Sequence, residues 1–164
     1  MSIGQVRPYI YISDCGSAQT RSILRDRNIR RIVSVTNRES SLPSYELCQE
    51  LGIATKVFRI MDTAFVDEEE VLVKDFFPWV REAEESGEAV IVHCVAGISR
   101  SPSFVVAYLV WRGMTFKDAW KLVKEKHPDA GPWLNTMESF LKCVGSSVPE
   151  EHIDRSEDPL ARVK

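Results

Sequence analysis

The chain has 164 residues and a formal net charge of -3, with 44% hydrophobic and 27% charged residues. This length suffices for one domain whose core needs neither a disulfide nor a metal to fold. The small negative charge argues against nucleic acid or an acidic membrane surface as a partner.

The cysteines and the absence of targeting segments indicate an intracellular protein. No apolar run is long enough to span a bilayer, and the N-terminus does not resemble a signal peptide. Four widely spaced cysteines without a C-x-x-C pair are typical of free thiols in a reducing compartment. We therefore expect a cytoplasmic or nuclear protein that is monomeric and needs no cofactor.

Four short runs have strand patterns: residues 8–12, 31–35, 54–60 and 89–92. The last run is continuously apolar, which is typical of a central strand buried on both faces. Strands that alternate with helical segments predict an α/β domain with a central, mostly parallel twisted sheet flanked by helices. Ligands of such sheets bind at the carboxyl ends of the strands, and Cys94 lies at that end of the central strand.

Five segments have helical patterns: residues 17–27, 68–85, 101–112, 116–126 and 135–144. Pro78 lies inside the second segment and is expected to kink or split it. Gly113 ends the third helix, and Thr115 caps the fourth. Residues 149–164 are polar and are predicted to form a disordered tail, so the predicted domain spans residues 1–148.

The run from His93 to Ser101 places a cysteine, a glycine and an arginine between a strand and a helix. A free thiol is mostly protonated at neutral pH, so a nucleophilic cysteine needs positive surroundings. Loop N–H groups can converge as a nest, the following helix directs its N-terminus to the same point, and an arginine fork can hold two phosphate oxygens. The residues predicted to bind phosphate are Val95, Ala96, Gly97, Ile98, Ser99 and Arg100.

Alternative interpretations exist for several residues of this loop. Cys94 alone would suit a buried structural cysteine, but Gly97 and Arg100 favour a nucleophile. A metal site at His93 and Cys94 lacks a second ligand pair at zinc spacing. His93 is expected to point back into the domain, where it orders the loop or tunes the thiolate, or is simply a hydrogen-bonded core residue. Ser101 is predicted to donate a hydrogen bond to the departing sulfur, and it also fits an ordinary first-turn residue of the helix.

The sequence His-Cys-x5-Arg-Ser resembles the signature of the cysteine-dependent protein tyrosine phosphatases, and His-Cys-x-Ala-Gly-x-Ser-Arg-Ser is similar to their dual-specificity branch. The likeness covers about residues 4–145 and implies a small, atypical member without an N-terminal docking domain. It implies a metal-free reaction in which Cys94 takes the phosphoryl group and water then releases it. It also implies that Asp62, just past the third predicted strand, is the general acid, with Asp67 as the alternative.

Two positions depart from the family pattern. Many relatives have Pro-Asn before the last helix, where the Asn braces the active-site loops, whereas here Pro132 is followed by Trp133. Either Asn135 replaces that brace or the brace is missing. Trp133 itself is predicted to form one wall of the pocket. Ser13 stands where a glycine is common.

The resemblance implies hydrolysis of phosphotyrosine and of phosphoserine or phosphothreonine in a phosphoprotein, for which a protein kinase is one candidate. A phosphoinositide phosphatase is the first alternative, but such relatives commonly carry lysines in the loop, and the loop interior here is uncharged. An RNA 5′-triphosphatase would need a basic groove. A phosphoprotein-binding scaffold of the same fold is the last alternative. Inactive relatives usually lose the cysteine or the arginine, and both are present in this chain.

Overall fold

A five-stranded sheet forms the centre of the domain. This computed structural model describes residues 1–62, 68–156 and 160–164. β1 pairs with β2 antiparallel, and the other neighbouring strands are parallel, which confirms the predicted mostly parallel α/β sheet. The strands, which lie in the order β1-β2-β5-β3-β4, are β1 (Ile3–Arg7), β2 (Ile10–Ser13), β3 (Ile29–Val35), β4 (Ala54–Phe58) and β5 (Ala89–His93).

The N-terminal strand pair differs from the single strand predicted at residues 8–12. Pro8 and Tyr9 form the turn of a hairpin, so only the second half of the predicted segment is strand. β1 escapes the sequence pattern because one of its two buried positions is Gly4, which carries no apolar side chain to show the alternation.

In the described ranges, α-helices flank the sheet: α1 (Arg21–Asp26), α2 (Tyr45–Leu51), α3 (Glu69–Val71), α4 (Phe77–Glu85), α5 (Arg100–Trp111), α6 (Phe116–Lys126) and α7 (Leu134–Lys142). The predicted split near Pro78 does not occur, because the helical run from 69 to 85 is continuous; a π-helical turn at Leu72–Phe76 joins α3 to α4, and Pro78 lies in the first turn of α4. α2 was not predicted. The Ser44 hydroxyl caps it by accepting from the Leu47 N–H at 3.0 Å. No helix within the described ranges is long and apolar enough to cross a membrane.

The main core lies around α5 and fixes the end of the central strand. Residues 100–109 of α5 are all buried, and so are all residues of β5. Phe104 of α5 packs edge-on against Phe76, Phe77 and Phe140, with ring centroids 5.2–6.2 Å apart. Because both the strand and the helix are enclosed, the short loop between them has little freedom to move.

The C-terminal segment is a correction to the sequence prediction. Described residues beyond 148 include a short antiparallel pair, β6 (Ile153–Asp154) and β7 (Arg162–Val163), instead of a disordered tail. Val163 is 5% exposed, and the Trp120 indole N–H donates to the Lys164 carbonyl at 2.7 Å. The composition of the tail concealed this because only a few apolar residues among many charged ones carry the packing.

Deleting residues 149–164 should therefore destabilise the domain. The deletion exposes the surface that Val163 covers and removes the hydrogen-bond partner of Trp120. Burial of one valine side chain contributes about 1.5–3 kcal/mol, so we expect the free energy of unfolding to fall by about 2 kcal/mol in urea denaturation. Glu151→Ala, an exposed change in the same segment, is the control and should have little effect. An unchanged unfolding midpoint in the shortened chain would contradict the packing of this segment.

Candidate active site

Cys94 lies at the carboxyl end of β5, the central strand of the sheet. It is 2% exposed, and the loop that follows it ends at residue 99, before the first residue of α5. The helix N-terminus therefore points toward the loop, which places partial positive charge beside the sulfur. The position of Cys94 agrees with the rule that parallel sheets bind ligands at the carboxyl ends of their strands.

The loop carries its carbonyl groups on the outside. The Val95 carbonyl accepts from the Cys15 N–H at 2.9 Å, and the Ile98 carbonyl accepts from the Gly131 N–H at 2.9 Å. Within the described part of the chain, no backbone N–H of residues 95–99 donates to another protein group. The loop thus offers the row of free donors that a tetrahedral oxyanion requires.

Gly97 is required by the backbone around it. Its φ of 74° is in the left-handed region. A Cβ atom there would lie 2.9 Å from both the Asp14 nitrogen and the Ser13 carbonyl carbon, which are rigid backbone atoms at the end of β2. The close approach of β2 and the loop therefore leaves room for glycine alone.

Arg100 is held on one side and free on the other. Its Nη1 donates to the Ile60 carbonyl at 2.9 Å and lies 3.5 Å from the Thr36 hydroxyl. The side chain is 9% exposed, and its Nε has no partner in the described part of the protein. A buried N–H without a partner costs about 1–3 kcal/mol, so a bound anion at this nitrogen would be strongly favoured. Thr36 and the Ile60 carbonyl were not predicted, because a threonine and a backbone oxygen carry no motif.

Two further residues that the sequence singled out lie next to Cys94. The Ser101 hydroxyl is 3.2 Å from Cys94 Sγ and fully buried. The His93 ring points to the adjacent strand β3, with Nε2 2.6 Å from the Ser34 hydroxyl and Nδ1 2.8 Å from the Cys94 carbonyl. Because a carbonyl only accepts, Nδ1 carries the proton, and Nε2 of the neutral ring accepts from Ser34.

Burial lowers the pKa of His93 below its ordinary value, against the opposing effects of the hydrogen bond to the Cys94 carbonyl and the Asp14 charge. The ring is therefore neutral at physiological pH. A neutral ring in this place fixes the Cys94 carbonyl and adds no positive charge beside the sulfur.

Asp62 is connected to the loop by hydroxyl groups. Its Oδ1 accepts from the Ser99 hydroxyl at 2.7 Å and from the Thr136 hydroxyl of α7 at 3.1 Å. The Ser99 oxygen in turn accepts from the Trp133 N–H at 3.2 Å. Three segments of the chain thus meet at one carboxylate. Asp67, the alternative acid, lies outside the described residues.

These bonds answer the question of the missing asparagine brace. Thr136 links the last helix to Asp62, and no hydrogen bond of the Asn135 side chain is found among the described residues. The hydroxyls of Thr136 and Ser99 therefore make the contacts that join α7, Asp62 and the loop. The sequence alone did not identify Thr136 because its role depends on how α7 is turned toward the loop.

Trp133 packs against the C-terminal strand. The Arg162 guanidinium lies over its ring at 4.3 Å, and the two residues form an isolated backbone bridge. The side chain is half-buried, and Trp133 follows closely after Gly131, whose N–H donates to the Ile98 carbonyl of the loop. Its predicted role as one wall of the pocket stays a prediction.

Comparisons with known proteins identify the family. A family model described as the dual specificity phosphatase catalytic domain matches residues 10–143. The chain belongs to the dual-specificity phosphatase family. The resemblance inferred from the sequence is thereby confirmed.

Curated relatives of this family include dual specificity protein phosphatase 1 of Arabidopsis thaliana, which is 31% identical over 128 residues, 75% of this chain and 59% of the relative. Human dual specificity protein phosphatase 6 is 29% identical over 153 residues, 88% of this chain and 38% of the relative. The chain therefore spans less than two thirds of the length of both relatives.

Solved structures show the same fold. The human tyrosine phosphatase-like serine/threonine/tyrosine-interacting protein has a TM-score of 0.76 at 22% identity, covering 87% of this chain and 95% of its own. PTPMT1 in complex with PI(5)P has a TM-score of 0.75 at 15% identity, covering 87% and 94%. Neither likeness identifies the substrate.

Substitution of Gly97 should disable the loop. In Gly97→Ala the new methyl group collides with the backbone of Ser13 and Asp14, so the loop must move and its N–H groups lose their common direction. We expect phosphatase activity and tungstate binding to fall by about 10²-fold or more, as for loss of an oxyanion donor.

Gly145→Ala is the matched control for this variant. Gly145 has a similar φ of 72°, and its added methyl group would meet nothing within 4 Å. Both variants are strained by the same backbone conformation, but only the first pushes on the loop. Equal activity of the two variants would contradict the account of the loop.

Proposed function

We propose that this chain is a protein phosphatase that hydrolyses phosphotyrosine and phosphoserine or phosphothreonine through a cysteinyl-phosphate intermediate. The observation that carries the proposal is the set of free donors around Cys94: the N–H groups of residues 95–99 and the buried Nε of Arg100. These donors match the oxygens of a phosphoryl group held next to the sulfur.

In the first step the Cys94 thiolate attacks phosphorus. A sulfur–phosphorus bond forms as the bond from phosphorus to the leaving oxygen breaks, and Asp62 gives that oxygen a proton. Arg100 and the loop N–H groups stabilise the negative charge on the three remaining phosphoryl oxygens. Ser99 and Thr136 donate to Oδ1 of Asp62 and position its protonated carboxyl group for this transfer.

In the second step water releases the phosphate. Asp62 now takes a proton from the attacking water, the phosphorus–oxygen bond forms and the sulfur–phosphorus bond breaks. The Ser101 hydroxyl, 3.2 Å from Cys94 Sγ, donates to the departing thiolate. His93, fixed between Ser34 and the Cys94 carbonyl, orders the loop without exchanging a proton with substrate.

No metal takes part in this scheme. Among the described residues, no group of three or more histidine, cysteine, aspartate or glutamate side chains is arranged to hold a metal ion. The roles assigned to Cys94, Arg100 and Asp62 supply the nucleophile, the charge and the proton. We propose that the reaction needs no cofactor.

The chemistry of the loop favours a phosphoprotein over a phosphoinositide. Apart from Gly97, the loop between Cys94 and Arg100 has four side chains, and all of them are uncharged: Val95, Ala96, Ile98 and Ser99. A ligand with several phosphate groups would require additional cations at the site. We therefore infer a protein substrate, with a protein kinase as one candidate. We further propose that the enzyme acts as a monomer in the cytoplasm or nucleus.

The test measures phosphate release from phosphotyrosine and phosphothreonine peptides and from a phosphoinositide, all in the presence of a metal chelator. We expect turnover of both peptides and a kcat/KM at least about 10-fold lower for the lipid. The loop has no cation for the additional phosphate groups of the lipid, and a loss of about 1.4 kcal/mol of binding free energy corresponds to a tenfold decrease. Cys94→Ser should lower kcat by about 10⁴-fold or more, as for removal of a nucleophile.

Cys143→Ser is the control for this variant. Cys143 is also buried, and its Sγ hydrogen bonds to the Ser139 carbonyl, a contact that a serine hydroxyl can keep. Equal rates for wild type and Cys94→Ser would exclude the catalytic proposal, and no turnover by either protein would leave a phosphoprotein-binding scaffold. Preferred turnover of the phosphoinositide would contradict the assigned substrate class.

A further inference from the structure

One loop carbonyl is held by a side chain instead of by the backbone. The Gly97 carbonyl lies 2.7 Å from His127 Nε2, which donates to it because a carbonyl only accepts. His127 follows the last residue of α6 and is 2% exposed. This contact was not predictable from the sequence, because His127 lies far from the Cys94 loop along the chain and belongs to no motif.

The first strand fixes the place of this histidine. A Cβ atom on Gly4 would lie 2.4 Å from the Lys126 carbonyl oxygen and 2.9 Å from His127 Cβ. β1 therefore packs directly against the end of α6, behind the imidazole. The His127 N–H donates to the Val123 carbonyl at 2.8 Å, so its backbone is also fixed. With both the ring and the backbone enclosed, Nε2 has one direction in which to donate.

This contact determines where the Ile98 N–H points. In a trans peptide, the carbonyl of one residue and the N–H of the next point in opposite directions. The Cys15 N–H holds the Val95 carbonyl outward and thereby turns the Ala96 N–H inward. The Gly131 N–H does the same for the peptide between Ile98 and Ser99.

The peptide between Gly97 and Ile98, which lies between these two, also needs such a partner. Glycine can adopt conformations on both sides of the φ map, so this peptide could rotate and turn its carbonyl oxygen toward the phosphate. An inward carbonyl would replace a donor by a negative dipole next to a negatively charged group. The His127 hydrogen bond opposes that rotation.

We propose that His127 is a positioning residue for the phosphatase reaction, which holds the Gly97 carbonyl outward and keeps the Ile98 N–H directed at the phosphoryl oxygens. It does not touch substrate. The inference rests on the proposed function for its activity readout, but its binding readout requires only that the loop holds an oxyanion.

The test compares His127→Ala with His127→Gln. The glutamine amide nitrogen can reach the Gly97 carbonyl much as Nε2 does, whereas alanine leaves that carbonyl without its donor. We expect His127→Ala to lower kcat by about 10–10²-fold and to weaken tungstate binding to a similar extent, somewhat less than loss of a donor that contacts the oxyanion directly. His127→Gln should recover most of both losses.

A second measurement reports the peptide itself. Tungstate should shift the Ile98 amide resonance strongly in the wild type and in His127→Gln, but weakly in His127→Ala. His152→Ala is the control, because that histidine packs on the Phe116 ring at 5.4 Å and, among the described residues, makes no hydrogen bond to the loop. Melting temperatures of all variants separate an effect on the loop from general unfolding.

Two outcomes would overturn the proposal. One is a His127→Ala variant whose kcat and tungstate affinity equal those of the wild type. The other is a folded His127→Gln that is as impaired as His127→Ala, which would show that the imidazole acts by filling space. If the wild type binds tungstate but turns over no phosphoester, the proposed function fails, and the binding comparison still decides the role of His127.

Discussion

A loop can offer its N–H groups to an oxyanion only if its carbonyl groups find partners on the outer side. In this domain those partners come from three separate regions of the chain: Cys15 after β2, His127 at the end of α6 and Gly131 before α7. The Cys94 loop is therefore shaped by tertiary packing as much as by its own sequence. Any change that separates these regions is expected to affect phosphate binding before it affects the nucleophile.

The same packing explains why glycine occurs at two distant positions. Gly97 allows the backbone at the end of β2 to approach the loop, and Gly4 allows β1 to approach the end of α6. Each close contact secures one side of the loop. The first is part of the motif that identified the family, while the second lies outside residues 10–143, which the family model matches.

Much of the fold and part of the site could be predicted from the sequence. The apolar run of β5 and the Cys94 loop identified the centre of the sheet, because a buried central strand has a distinctive composition. The resemblance then selected Asp62, which the structure places in hydrogen-bond contact with Ser99 of the loop. Residues with a strong local pattern were predictable.

Features that depend on three-dimensional approach were not predictable. Thr136 and Thr36 are ordinary residues until helix and loop orientations bring their hydroxyls to Asp62 and Arg100. The C-terminal strand pair was missed because its stability comes from contacts with Trp120 and the segment before α7, and the charged residues around it dominate the local composition.

The most direct test of the account is to trap the reaction between its two steps. Wild-type protein is mixed with a phosphotyrosine peptide, quenched in acid within milliseconds and digested for mass spectrometry. We expect one added phosphoryl group on the peptide that contains Cys94, and none in Cys94→Ser. A wild-type protein that releases phosphate without ever carrying it on Cys94 would contradict the account.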